Sequence, residues 1–320
     1  MANETEPKTL QQAIIYFSDA KNCREYLVAR RWPNGVTCPT CGRDDVSFLE
    51  KQNKWQCKSA HPQRQFSAKV GTIFEDSPLG LDKWLAAVWL IVNAKNGVSS
   101  YEIHRSLGVT QKTAWFMLQR IRLAMQTGSF AKKLSGSVEV DETFIGGKAR
   151  NMHKARKNRA KLSPTGMVGK VAVMGLLERH GNVRAMVVPG TTRAILDPRV
   201  RSNVEEGSSV YTDSHGGYDS LEDAYVRGVI NHAERYVDGQ IHTNGMENFW
   251  SLLKRSIKGT YVSVEPFHLF RYLDEQTFRF NGRHGNDSER FQRATEQIVG
   301  KRLTYSALTG KDKDARKLSN

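Results

Sequence analysis

The sequence predicts a mixed α/β protein preceded by a metal-binding module and a helical module, and three observations carry that prediction. All four cysteines, Cys23, Cys38, Cys41 and Cys57, fall in the first fifth of a 320-residue chain. Residues 80–127 carry apolar side chains at helical spacing, with glycines at the segment ends. From residue 137 onward β-branched runs take over, first as successive strands and then alternating with helices. The expected division is 1–76 for the metal module, 77–130 for the helical module, 135–300 for the α/β domain and 301–320 for a charged tail.

With 39% hydrophobic and 25% charged residues, the chain can build one sizeable core and one or two small modules. Lysine and arginine total 48 against 33 acidic residues, a formal charge of +15. That balance favours a polyanionic partner, because phosphate contacts release condensed counterions. No apolar run approaches the ~18 residues of a membrane span. The opening MANETEPKTLQQ is polar, unlike a signal peptide. These features lead us to expect a soluble cytoplasmic protein with no membrane partner.

The first module is read from spacing. Cys38-Pro-Thr-Cys41 forms a C-x2-C knuckle, and Cys57-Lys-Ser-Ala-His61 follows after fifteen intervening residues. Three thiolates and an imidazole at these intervals suit a closed tetrahedral zinc site. The few apolar residues between the knuckles imply that metal, rather than a core, holds the module. Cys23 lies outside the pattern and reads as a small buried apolar residue.

In the helical module, SSYEIHRSLGVTQKTAWFMLQRIR has helix-turn-helix spacing. Ile103 and Leu107 face inward, Gly108-Val109 makes the turn, and Thr110 caps a second helix. Gln111, Lys112 and Thr113 then stand at the end that enters the major groove in this motif. Gln119 and Arg122 are expected to continue a polar stripe, opposite the inward Ala114, Leu118 and Ile121.

The α/β domain carries the acids. VEVDETFIGG reads as a strand with Glu139 and Asp141 on one face and Val138, Val140 and Glu142 on the other. An acid inside a β-branched strand is costly unless it is paired or binds metal. GKVAVMGLLERHGNVRAMVV reads as two strands joined by a His-Gly-Asn turn, and a helix should follow. Asp213 ends the strand SVYTD, while Asp219, Glu222 and Asp223 are assigned to a solvated polar helix. A long helix begins near His242, with Met246, Trp250, Leu253 and Ile257 as its apolar stripe. Glu247, Ser251, Lys254 and Lys258 fall on a neighbouring face, and Asn244 lies one turn before Glu247.

Asp141, Asp213 and Glu247 together suit a magnesium (or manganese) site for phosphodiester chemistry. Hard cations take oxygen ligands, and paired ions activate a hydroxyl and stabilise a leaving oxygen. Glu139 and Glu142 are read as surface residues or partners of the ligands, and Glu275 is a rival for the third acid. Asn244 is either a residue at the start of the helix or a polar group of the metal site.

These motifs, with FSAKVGTIFEDS and HLFRYLDEQTFRFNGR, resemble the ISXO-type insertion-sequence transposases, in the group named for insertion sequence fifteen-ninety-five. The resemblance runs from about residue 10 to about residue 300. It implies an RNase H-like catalytic domain of the DDE type that cuts transposon ends and transfers strands into target DNA, associated with the bacterial nucleoid. By position, Asp141 and Asp213 match the two aspartates of that family. Both an asparagine and a glutamate serve near its third acid, so Asn244 and Glu247 stand as alternatives. The C-x3-H second knuckle departs from an all-cysteine ribbon. Lys254, seven residues after Glu247, matches a frequent basic DNA contact, and oligomerisation on DNA is expected.

Seven of the fourteen residues from Lys148 to Lys161 are basic, and Lys154, Arg156, Lys157 and Arg159 are candidate phosphate contacts. Two other functions fit parts of the pattern. One is a catalytically silent DNA-binding regulator, the other an RNase H-like nuclease or resolvase without strand transfer.

Overall fold

A computed structural model describes residues 6–126, 132–146, 169–230 and 242–311, with the side chain of Ile230 excluded. The chain divides into two compact units, one of Met1–Gln126 with His284–Asn320 and the other of Thr127–Arg283. The residues assigned to the ribbon and most of those assigned to the helical module fall in the first unit. Residues 284–300, expected with the α/β domain, belong to that first unit as well.

In the first unit, helices α1 (Leu10–Phe17) and α2 (Ala20–Arg31) begin at the side-chain caps Thr9 and Asp19. Strands β1 (Val46–Leu49), β2 (Lys54–Cys57) and β3 (Gln65–Phe66) form a small antiparallel sheet in that order. Helix α3 (Leu81–Asn93) buries Trp84, Leu85, Val88, Trp89, Ile91 and Val92. Helix α4 (Ser100–Leu107) opens with a capping box between Ser99 and Glu102 and closes on Gly108 at φ 60°. Thr110 then caps α5 (Gln111–Met125).

Two C-terminal helices complete this unit, α9 (Asp287–Glu296) and α10 (Tyr305–Leu308). Phe291 of α9 sits 4.9 Å from the Trp89 ring and 5.6 Å from Phe17, so three distant segments share one core. The tail expected over 301–320 is thus corrected for its first half, because Leu303 and Leu308 are buried. Residues 312–320 lie outside the described residues.

The second unit is built on a five-stranded mixed sheet. Its strands are β4 (Ser137–Ile145), β5 (Val171–Glu178), β6 (Val183–Val188), β7 (Ser209–Asp213) and β8 (Val226–Ile230), in the order β6-β5-β4-β7-β8. The first three pair antiparallel, and β7 and β8 join β4 in parallel. On one face, α6 (Arg193–Asn203) covers Val138, Val140, Met174, Leu176 and Val210. On the other, α7 (Asn244–Arg255) and α8 (Leu269–Asn281) cover Val173, Leu177 and Val183. With both faces covered, β5 is apolar from Val171 to Leu177.

The expected polar helix after Asp213 is instead two short 3-10 turns, Gly216–Tyr218 and Leu221–Asp223, that lead into β8. Strand β8 escapes the sequence pattern because it is a short edge strand with Val226 and Val229 exposed. Parallel pairing of β4 with β7 matches Ser137 to Ser209 and Glu139 to Tyr211. Continued two residues further, that register sets Asp141 beside Asp213 at the carboxyl end of the parallel strands.

Candidate active site and metal centres

Two groups of metal-competent side chains occur among the described residues. Cys38, Cys41, Cys57 and His61 bring one ligand atom each within 4.8 Å of the others. Cys38 Sγ lies 3.4 Å from His61 Nε2, and Cys41 Sγ lies 3.6 Å from Cys57 Sγ. Zn–S bonds of ~2.3 Å at tetrahedral angles put two sulfurs roughly 3.8 Å apart, whereas a disulfide needs ~2.05 Å. The observed spacing therefore fits zinc, and all four cysteines are free of disulfides.

Local backbone builds the first knuckle, where Cys38 N–H donates to the Arg43 carbonyl and Gly42 N–H to the Cys38 carbonyl. Burial opposes ionisation of Cys38, but the N–H groups of Cys41 and Thr40 together with the Cys41 and Cys57 side chains hold this thiol below its ordinary range. Cys23 sits apart, buried, with its thiol donating to the Phe17 carbonyl and pushed up to about 12 by burial.

The second group is Asp141, Glu142 and Asp213, whose carboxylate oxygens also lie within 4.8 Å of one another. Asp141 Oδ1 accepts from the Glu142 N–H at 2.8 Å, and Oδ2 accepts from Trp250 Nε1 at 2.9 Å. Asp213 Oδ1 accepts from the His215 N–H at 3.0 Å. Burial raises the Asp141 carboxyl to about 6, with the charges of Asp213 and Glu247 adding to the rise against two hydrogen bonds that lower it. Burial likewise raises Glu142 to about 7, opposed by Tyr218 and reinforced by Asp213 and Asp141. Half-buried carboxylates held this close together suit a hard divalent cation, which would offset their mutual repulsion.

Helix α7 carries the remaining sequence candidates as its periodicity predicts. Met246, Phe249, Trp250 and Leu253 are buried, and Ile257 is half-buried just beyond the helix. Asn244, Glu247 and Lys258 are exposed, and Lys254 is half-buried. Glu247 acts on Asp141 through its charge but is not part of the tight cluster, whose third member is Glu142. Alternation along β4 assigns Glu142 to the face opposite Asp141, which hides it from a reading by sequence.

Of the two readings of Glu139, surface residue or partner of the ligands, burial excludes the first. Glu139 is 1% exposed and accepts from Arg179 Nε at 3.0 Å and from the Met246 N–H at 2.9 Å. The rival acid Glu275 is fully buried and paired with Arg279.

In the first unit, Lys112 is exposed, with Nζ 5.0 Å from the Tyr305 ring. Thr113 N–H donates to its cap Thr110, and Gln111 Nε2 donates to Ser100 Oγ at 2.8 Å, tying α5 to α4. Arg122 is a correction. It is 1% exposed, beside buried Gln119 and Arg120, so it offers no surface to DNA. The polar stripe of Gln119 and Arg122 faces the interior, and the neighbouring Arg120 donates to the carbonyls of Ile73, Glu75 and Leu303. Lys154, Arg156, Lys157 and Arg159 lie outside the described residues. No helix among the described residues is long and apolar enough to cross a membrane.

Residues 133–281 match the ISXO2-like transposase domain, and residues 18–63 match the transposase zinc-ribbon domain. An uncharacterized protein in transposable element ISH50 of Halobacterium salinarum is 29% identical over 257 residues, covering 76% of this chain and 84% of the relative. An uncharacterized transposase-like protein of Haemophilus influenzae is 34% identical over 100 residues, covering 31% of this chain and 80% of the relative.

Proposed function

The chain belongs to the ISXO2-like transposase family, and from that premise we propose that it cuts DNA at transposon inverted-repeat ends and joins the freed strands to target DNA. The observation that carries the reading is the convergence of Asp141 and Asp213 from adjacent parallel strands, with Glu142 alongside. The sheet order, with three antiparallel strands followed by two parallel additions, supports an RNase H-like catalytic domain.

In this reading Asp141 and Asp213 are the principal ligands of magnesium or manganese, and Glu247 completes the set from α7. Asn244, one turn earlier, is a polar neighbour able to accept or donate to the same ions. When bound, two such ions supply activation of the attacking hydroxyl and stabilisation of the leaving oxygen. Trp250 holds one Asp141 oxygen in a fixed direction through its indole N–H. Lys254 on α7 and Lys258 in the turn just beyond it would bind the flanking phosphates. Gln111, Lys112 and Thr113 at the start of α5 are the proposed groove contacts of a helix-turn-helix, and the 148–161 basic segment adds phosphate affinity. Zinc held by Cys38, Cys41, Cys57 and His61 is structural. Paired DNA ends call for an oligomer on DNA.

The discriminating experiment supplies labelled end DNA with a pre-cut 3′-hydroxyl, Mg²⁺ and an unlabelled target. Joined product is expected. Cutting without joining favours a nuclease or resolvase, and binding without either favours a silent regulator.

A further inference from the structure

Glu139 stands two residues before Asp141 on the same face of β4, yet its surroundings differ in kind. Arg179 Nε donates to its Oε1, His242 Nδ1 lies 3.2 Å from that oxygen, and the Met246 N–H donates to Oε2. Arg179 also donates to the His242 carbonyl at 2.7 Å and rests 4.0 Å over the Tyr211 ring. A buried carboxylate matched by a guanidinium and a helix N-terminal N–H is already satisfied and is a poor candidate for a cation ligand. It is an anchor for the start of α7.

A second tie lies one turn along, where Trp250 Nε1 donates to Asp141 Oδ2. Helix α7 is thus fastened at positions 246 and 250 to the strand neighbours Glu139 and Asp141. The seat is close. A Cβ on Gly175 of β5 would lie 2.2 Å from Met246 Cε and 2.6 Å from Trp250 Cζ2. One on Gly245 would lie 2.8 Å from Glu139 Oε2. Glycine at both positions lets the helix approach the sheet closely enough for these bonds.

We propose that Glu139 and Trp250 are positioning residues that fix Asn244 and Glu247 of α7 relative to Asp141 and Asp213, and so set the divalent-metal affinity of the acid cluster. The proposal rests on the reading of that cluster as a metal site. Loss of a residue that orients metal ligands typically weakens metal binding about 10- to 100-fold.

The test is a Mn²⁺ titration of the full zinc-loaded chain, read by the paramagnetic resonance of free Mn²⁺, with thermal melts in parallel. Glu139→Gln and Trp250→Phe are each expected to weaken Mn²⁺ binding about tenfold, and Asp141→Asn to abolish it. Trp250→Phe keeps the apolar stripe, so it remains informative if Glu139→Gln fails to fold. Terbium at the same site should give tryptophan-sensitised emission that Trp250→Phe removes. Lowered melting temperatures with wild-type Mn²⁺ affinity in both variants would overturn the positioning role while leaving the metal site standing. Wild-type protein that binds no Mn²⁺, or an Asp141→Asn variant that binds it normally, would overturn the metal site and the positioning role together.

Discussion

The ribbon and the sheet each gather metal-binding side chains, but by opposite routes. Cys38, Cys41, Cys57 and His61 come from one short segment, folded by its own hydrogen bonds around soft donors. Asp141 and Asp213 lie far apart in sequence, and only the parallel register of β4 and β7 brings them together. The first group is closed, with four ligands and no vacant position, as a structural zinc site requires. The second is a set of oxygen donors that repel one another, with further polar side chains on a separate helix. Such a site leaves room for waters and a substrate phosphate. Closure serves stability and openness serves chemistry, so perturbing the two sites should have different consequences.

The largest expected effect is loss of the ribbon. Zinc binding to small modules contributes on the order of 10 kcal/mol to folding. Stripping zinc, or Cys38→Ser, should abolish hydrogen-exchange protection of β1, β2 and β3 while β4 and β5 keep theirs. Unchanged protection of the ribbon without zinc would remove the contrast between the two sites.

The acid cluster should behave in the opposite sense when its metal is withheld. Asp141 is raised from 3.8 to about 6, and Glu142 from 4.5 to about 7, so both favour the protonated folded form. The stabilisation is complete below about pH 4 and is lost as pH rises through 6 and 7, because the unfolded chain releases these protons first. Each of these rises corresponds to about 3 kcal/mol, lessened by residual solvent screening. In chelator, denaturant melts of the second unit should therefore show lower stability at pH 8 than at pH 5. Added Mg²⁺ should restore stability mainly at pH 8.

A smaller effect sharpens the roles within the acid cluster. Glu247→Gln is expected to lower end cleavage about 100-fold and Glu142→Gln about tenfold, measured at saturating DNA. The reverse order would make Glu142 the third ligand and Glu247 an exposed neighbour. The smallest effect concerns the basic segment. Neutralising Lys154, Arg156, Lys157 and Arg159 should reduce the salt dependence of DNA affinity by roughly 0.9 for each phosphate they neutralise. An unchanged slope would exclude these four from the interface.

The same contrast explains what can be read from sequence. The zinc ligands are a local pattern, and spacing alone singles them out. The α7 stripe of Met246, Trp250 and Leu253 is equally legible, because helical periodicity states which side is buried. What escapes depends on long-range packing. Glu139 and Glu142 look like ordinary alternating strand acids until Arg179, Met246 and Tyr218 are placed around them. Gln119 and Arg122 read as a polar stripe open to a partner, since periodicity cannot tell an exposed polar face from one turned to the interior. Strand β8 is too short and too exposed to show a pattern. The return of residues 284–311 to the N-terminal unit is decided by packing such as that of Phe291 on Trp89, far apart in sequence.

The central claim is that Asp141 and Asp213 jointly hold the metal that cuts DNA. Its most direct test is Mg²⁺-dependent cleavage of DNA carrying the element's own inverted-repeat ends, comparing wild type with Asp141→Ala and Asp213→Ala. Wild type is expected to nick at the ends. Either alanine variant should bind the same DNA with unchanged affinity but cleave it at least about 1,000-fold more slowly. Cleavage by both variants near the wild-type rate would contradict it.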